Sequence, residues 1–265
     1  MPDLDFSLNA LNASTYYFET GRYFDLLLPE QKQYAIEVPK IPGFNQLSKS
    51  FQGREITVTG IMKATDKATL LTRLQAFKGF LYYSVDKQLI FNDTPTKYYN
   101  AQYLEKYPVE KRRDFAPLKL VFVCNDPFGY AVTANTDTKS NVIVNGYNYT
   151  ITNAGQLYSW PIVTITFHQS QSHIYMLNNN INDDRFDMSK SFVANDVLIL
   201  DSKSERITLN GVYSPAGFGD GGGLGAEYLI LRGGVGADGD NLIEIGTTDA
   251  TLNVSVNITY RKTYL

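Results

Sequence analysis

Cysteine is almost missing from this sequence of 265 residues, which holds only Cys124. A lone thiol closes no intramolecular disulfide and builds no cysteine-ligated metal cluster, so packing must hold the fold together and a reducing compartment is expected. Long apolar runs are missing as well. The longest, such as 26–28 and 120–124, fall far short of the roughly 20 residues needed to cross a bilayer as a helix. The start, Met1-Pro2-Asp3-Leu4-Asp5, is acidic and carries neither the basic nor the apolar stretch of an export signal, so export by the standard route is not expected. Positive charge is not in excess either: 24 Lys and Arg stand against 27 Asp and Glu, for a net charge of −3 and a pI near 5.5. Nucleic acid and anionic lipid both demand a concentrated basic face, so neither is an expected partner, and no membrane association is expected.

What is present is aromatic and turn-forming. The chain holds 19 Tyr, 15 Phe and 20 Gly, with many β-branched residues and little helix-favouring sequence, which predicts strands joined by turns. The length suggests about two domains, each large enough to bury a core without disulfides or metals. In the first, residues 14–18 and 34–38 read as short strands. The stretch Val38-Pro39-Lys40-Ile41-Pro42-Gly43 follows, where two prolines withhold amide donors and so predict an exposed arm or edge, here placed at 37–53. Residues 54–62 alternate, with Ile56, Val58, Gly60 and Met62 on one side, as in a strand with one buried face. One helix follows, capped by Thr65 or Asp66, with Leu70, Leu74, Phe77 and Leu81 at spacings of four, three and four. Further strands are expected at 88–92, 98–107 and 116–124. In the last, Leu118, Leu120, Phe122 and Cys124 share a face, which makes Cys124 a core residue before it is a nucleophile.

Residues 133–140 are polar and small, and place a domain boundary near 135, giving domains 1–135 and 136–265. Beyond it strands are expected at 141–144, 147–151, 162–168, 174–177, 196–200, 206–209, 227–231, 241–245 and 251–260. Asn145-Gly146 and Asn210-Gly211 predict two tight hairpins. No helical period interrupts this half, and a sandwich of two antiparallel sheets is the economical architecture.

Several segments invite a chemical reading. The glycine-rich segment 217–225 lacks the Gly-Lys-Ser/Thr ending of a phosphate loop and has no strand-then-helix setting, so it reads as a flexible loop. Residues 233–239 offer too few carboxylates for calcium. His168 and His173 flank 169–172, read as a hairpin turn, and would need a third ligand from elsewhere to hold a metal, so both are expected on the surface. Asp183-Asp184, within the loop expected at 178–187, are adjacent and point to opposite sides of an extended chain, which does not suit the paired acids of glycoside hydrolysis. The charge of Lys111-Arg112-Arg113 is largely cancelled by Glu110 and Asp114. No coherent catalytic constellation emerges, so the chain is expected not to be an enzyme and to use no cofactor and no metal.

Two stretches resemble the siphophage distal tail protein (Dit) family. The first runs from Phe51-Gln52-Gly53-Arg54-Glu55-Ile56-Thr57-Val58-Thr59-Gly60 through the capped helix to Leu120-Val121-Phe122-Val123-Cys124-Asn125-Asp126-Pro127-Phe128-Gly129-Tyr130. The second begins at Asn153-Ala154-Gly155-Gln156 and passes through Trp160-Pro161-Ile162-Val163-Thr164-Ile165. It continues to Leu198-Ile199-Leu200-Asp201 and Leu209-Asn210-Gly211. Each segment alone is a generic strand-and-turn pattern, and their order carries the likeness. The resemblance implies a mainly β protein, with an N-terminal β-sandwich-like ring domain bearing one α-helix and a C-terminal galectin-like antiparallel β-sandwich. It further implies a structural homo-hexamer at the virion tail tip, assembled in the host bacterial cytoplasm. Its partners would be the tail tube protein, the tape measure protein, the tail-associated hub protein and a receptor-binding protein. Pro39, Ile41, Pro42 and Phe44 are then candidates for an intersubunit arm. Trp160 is a candidate carbohydrate contact, because galectin-like sandwiches stack an aromatic ring on a sugar. It precedes a proline at the start of a strand, and the His, Asn and Arg cluster of true galectins is not evident beside it, so packing is the preferred role.

Overall fold

A computed structural model describes residues 5–24, 29–36, 45–181, 185–219, 227–234 and 239–265. They divide into two compact units, Met1–Val132 with Leu265, and Thr133–Tyr264. The proposed arm residues Pro39, Ile41, Pro42 and Phe44 lie outside the described residues, as do Asp183-Asp184 and most of the two glycine-rich segments.

The first unit is built on antiparallel strands in the order Leu11–Asn12, Phe6–Leu8, Lys87–Phe91, Lys97–Leu104, Phe115–Cys124, Arg54–Lys63 and Phe18–Phe24. Lys97–Leu104 belongs to two sheets. Tyr99, Asn100 and Ala101 pair with Leu89, Gln88 and Lys87, and Gln102, Tyr103 and Leu104 pair with Val123, Phe122 and Val121. Splitting one strand between two partners folds the sheet over a core, where the Phe6 ring stands 5.4 Å from Phe122 and 6.0 Å from Phe18. Pro117 is tolerated within Phe115–Cys124 because it faces Ile61 on one side, while the strand on the other side pairs only with residues 121–123. In Arg54–Lys63 the expected alternation holds, with Ile56, Val58 and Met62 buried. Gly60 sits in their row because the Phe18 ring takes its space: a Cβ there would lie 2.3 Å from Phe18 Cζ. Gln31–Ile36 and Asn45–Phe51 form a separate hairpin.

Lys67–Leu81 is the helix that the spacing predicts. Asp66 caps it, its carboxylate accepting from Thr69 N at 2.9 Å, and the Thr69 amide with its hydroxyl lowers that carboxyl from 3.8 to about 2. Leu70, Leu74, Phe77 and Leu81 are all buried, and Phe80 widens the stripe by stacking on Tyr16 at 4.7 Å. The strand expected at 14–18 is instead a 3-10 turn, Ala13–Tyr16. Tyr17, at φ 63°, donates its N–H to Ser14 O at 2.9 Å and closes that turn, so the strand begins only at Phe18.

The second unit is a sandwich. A six-stranded sheet runs in the order Asn135–Val142, Val254–Tyr260, Ile162–Phe167, Val197–Asp201, Arg206–Leu209, Val212–Tyr213. Against it lies a four-stranded sheet, Tyr147–Thr152, Asp240–Gly246, Gln171–Asn178, Arg185–Phe192. Every pairing within the two sheets is antiparallel. Alternating residues fill the space between them, and Phe167 of the larger sheet stacks on Phe192 of the smaller at 4.1 Å.

Four local expectations fail here. The polar stretch 133–140, for which no strand is expected, forms most of an edge strand, Asn135–Val142, just past the division between the units; it reaches the core only at its last residue and so needs no apolar alternation. Asn145-Gly146 makes no hairpin, because the strands on either side belong to different sheets. The Asn145 side chain instead clamps Thr247, accepting from its N–H and donating to its C=O, both at 2.8 Å. Residues 178–187 are not wholly a solvated loop, since Arg185–Phe192 is a strand with Phe186 and Met188 buried. Residues 227–231 form no ladder, and only Leu231 bridges, to Ser159. Asn210-Gly211 does turn a hairpin, with φ of 50° and 79° and Leu209 opposite Val212.

Candidate functional site

The densest buried polar chemistry lies on the four-stranded sheet. His173 is 3% exposed and Asp187 also 3%, which corrects the expectation that the histidine is a surface turn residue and the aspartate part of a solvated loop. Residues 169–172 cross from one sheet to the other, so His173 enters a strand rather than a hairpin tip. His173 Nε2 lies 2.9 Å from Asp187 Oδ1, and Arg185 Nη2 lies 2.6 Å from Asp187 Oδ2.

A histidine paired with an aspartate has the outline of a catalytic dyad, but the other ring nitrogen decides its chemistry. Thr248 N donates to His173 Nδ1 at 3.1 Å. A backbone N–H can only donate, so Nδ1 must be the bare acceptor and Nε2 must carry the proton toward Asp187. Both nitrogens are therefore spent on structure, and neither is left to take a proton from a nucleophile. The cluster ties strand Gln171–Asn178 to strand Arg185–Phe192 and to the turn at 247–249, where Thr247 Oγ1 donates to His173 O at 2.7 Å. The buried amides at one end of the sandwich are structural in the same way: Asn153, Asn178 and Asn241 spend most of their hydrogen bonds on backbone groups.

In the first unit a cavity of about 380 Å³ opens beside the helix, walled by Leu74, Leu81 and Tyr83 on one side and by Tyr103, Tyr107 and Leu118 on the other. Burial pushes the Tyr83 hydroxyl up to about 12. The rim exposes apolar surface: Tyr82 is 87% exposed, and Tyr107 is exposed as well. Lys119 Nζ stands 4.0 Å over the Tyr107 ring. The lining is mostly aromatic and aliphatic, with Glu105, Lys78 and Lys119 among it.

Trp160 is half-buried and precedes strand Ile162–Phe167 of the six-stranded sheet. It lies between Ser159, whose N–H donates to Leu231 O at 2.8 Å, and Pro161, whose carbonyl accepts from Ser202 N at 3.1 Å. Cys124 is fully buried at the end of its strand. His168 and His173 are not brought together: His168 Nε2 meets Ser255 Oγ at 2.7 Å on the larger sheet, while His173 meets Asp187 on the smaller. Among the described residues no group of three or more His, Cys, Asp or Glu side chains could hold a metal ion. Arg112 pairs with Glu110 at 3.1 Å, in keeping with local cancellation of the basic cluster. The His173–Asp187–Arg185 cluster escaped sequence reasoning. Its one signal was the alternation of Phe186 and Met188 with Arg185, Asp187 and Ser189.

Two family profiles match the chain. The phage tail protein RIFT-related domain covers residues 11–124, and the siphovirus-type tail component C-terminal domain covers residues 154–216. No curated protein matches. Among solved structures, the fold is similar to the Dit protein of phage SPP1, described as a paradigm of the hub adsorption apparatus in phages infecting Gram-positive hosts. That likeness has a TM-score of 0.79 at 17% identity and covers 99% of both chains. A chain of the phage P2 baseplate in its activated conformation with calcium aligns over 98% of both chains, with a TM-score of 0.48 at 9% identity. With both profiles in tandem over about two thirds of its length, on a mainly β fold with one helix, this chain belongs to the siphophage distal tail protein (Dit) family, structural components of the phage tail.

Proposed function

We propose that the protein is a ring-forming connector of the tail tip, in which six copies join the tail tube to the hub. The observation that carries this reading is the tandem order of the two family segments in one chain, a tail-type domain followed by a siphovirus tail-component domain. Residues 1–135 form the ring and residues 136–265 point outward. The exposed Tyr82 and Tyr107 around the cavity of the first unit supply apolar surface of the kind obligate interfaces bury. Pro39, Ile41, Pro42 and Phe44 reach a neighbouring copy as an arm. The tape measure protein meets the ring on the tube side, the tail-associated hub protein meets it on the other, and a receptor-binding protein docks outside. The ring assembles in the host cytoplasm and does no chemistry, a reading supported by the engagement of both His173 nitrogens.

Light scattering on the purified protein tests the ring. The expected species has six times the 29.8 kDa chain mass, and a monomer that stays monomeric when mixed with its tail-tube protein would overturn it. Deleting residues 39–50 is expected to lower that mass, and an unchanged hexamer removes the arm.

A second reading, that the outward domain also binds host-surface carbohydrate, is favoured by one observation: an aromatic ring framed by planar polar side chains on the outer face of the four-stranded sheet.

A further inference from the structure

Tyr175 lies flat across that face. A Cβ on Gly246, its partner in the neighbouring strand, would sit 2.2 Å from Tyr175 Oη and 2.3 Å from Cζ, so the ring covers the glycine backbone directly. Its hydroxyl donates to Glu244 Oε1 at 3.0 Å, and the Arg185 guanidinium carbon stands 5.1 Å from the ring centroid. The second oxygen of Glu244 accepts from Asn179 Nδ2 at 3.3 Å, and the same amide lies 3.4 Å from Asn148 Oδ1. The strand register explains the convergence. Asn148 is opposite Glu244, Glu244 is opposite Leu177, and Leu177 is opposite Arg185, so one rank crosses all four strands with Tyr175 in the next.

An aromatic ring laid over a strand glycine is a recognised packing device and accounts for the position of Tyr175. It does not require the carboxylate at the ring's hydroxyl, the guanidinium over the ring, or the two carboxamides gathered beside that carboxylate. Such a frame matches the two surfaces of a sugar: a C–H face that stacks on an aromatic, and pairs of hydroxyls that planar side chains can hold with two hydrogen bonds at once. Charge then selects among sugars. Arg185 is neutralised by Asp187 at 2.6 Å, which leaves Glu244 to make the patch net negative. Sialylated or phosphate-bearing glycans would be repelled.

We infer that this face binds a neutral saccharide, with Tyr175 as the stacking platform and Glu244, Asn148, Asn179 and Arg185 as the hydroxyl-binding rim. The inference rests on the carbohydrate-binding reading and gives it a site other than Trp160. The test is binding of the full-length protein to an array of neutral hexose and N-acetylhexosamine oligosaccharides beside sialylated and phosphate-bearing ones, followed by calorimetry on the best binder. Glu244→Gln and Asn148→Ala both lie at solvent-reachable positions: the first is expected to weaken a neutral ligand about tenfold or more, the scale of one lost charge-assisted hydrogen bond, and the second about two- to tenfold, the scale of a neutral one. Tyr175→Ala is expected to abolish binding, and Trp160→Ala to leave it unchanged. Thermal melts check that each variant is folded; if Tyr175→Ala is not, the two rim variants decide. Binding that survives both rim variants overturns this site while sparing the carbohydrate reading. Selective binding of anionic glycans overturns the charge argument and the site with it, and no binding to any glycan overturns both.

Discussion

Replacing Asn241 by alanine tests the idea that buried carboxamides, rather than apolar packing alone, close one end of the second unit. Asn241 is fully buried. Its side-chain oxygen accepts from Arg232 N at 2.7 Å and from Asn178 Nδ2 at 2.8 Å. Its amide donates to Gly239 O at 2.8 Å, with Arg232 O at 3.1 Å and Ile151 O at 3.2 Å sharing the remaining proton. Alanine leaves the Asn178 amide proton and the Arg232 N–H without this partner, while the Gly239 carbonyl keeps the Asn153 N–H at 2.8 Å. At about 1–3 kcal/mol for each polar group stranded in the interior, and with Arg232 able to reach water, the expected loss is about 2–3 kcal/mol. Trp160 is the only tryptophan and lies in this unit, so its emission in urea follows this unit alone. With a slope of roughly 1–3 kcal/mol per molar for a unit of this size, the midpoint should fall by about 0.7–3 M. A midpoint that moves by less than about 0.5 M at unchanged slope would refute the reasoning, because water or local collapse would then be satisfying those groups. Asn241→Asp supplies the matching sign: it keeps the acceptor but turns a carboxylate toward the Gly239 carbonyl. It should be destabilising at neutral pH and partly relieved on acidification, when the protonated acid can donate again.

Asp187→Ala strands His173 and Arg185 and should cost about 3–5 kcal/mol in the same urea assay, whereas Asp187→Asn keeps an acceptor and should cost less; equal losses would contradict the hydrogen-bonded pair. The Asp66 carboxyl should titrate near 2 by NMR rather than at its ordinary 3.8. Because its folded value is depressed, the cap supports the helix above about pH 4 and is lost as pH falls through about 2. A midpoint at the ordinary carboxylate value would remove the cap. Cys124, fully buried, should be inert to Ellman's reagent in native buffer and react once urea unfolds the first unit; prompt native reaction would show that the strand is open.

The parts of the fold that could be read ahead were those with a period and a local cap. Leu70, Leu74, Phe77 and Leu81 could only be one helix face, and Asp66 stood where an N-cap acceptor was needed. Strands Arg54–Lys63 and Phe115–Cys124 announced themselves by alternation because one face of each is buried along most of its length, with Val121 the buried exception on the other face of the second. Asn135–Val142 gave no such signal, since an edge strand held by backbone pairing has little reason to alternate.

The other misreadings share one physical cause. Asn145-Gly146 and 169–172 do reverse the chain, as their composition says, but a turn signal is local and does not say which sheet the next strand will join. In a sandwich that choice is made by what each face must bury: Tyr149 and Ile151 leave the turn facing the core from the smaller sheet, and Val142 enters it facing the core from the larger. The polar sites inherit the same blindness. His173 and Asp187 are 14 residues apart and adjacent in space only because their strands pair in one register, while Tyr175, Gly246 and Glu244 meet through another. Register, not motif, therefore assembles whatever chemistry this unit has. Substitutions that slip Gln171–Asn178 by one residue would turn His173 and Tyr175 into the core and Ile174 and Met176 out of it, removing cluster, platform and packing in one step.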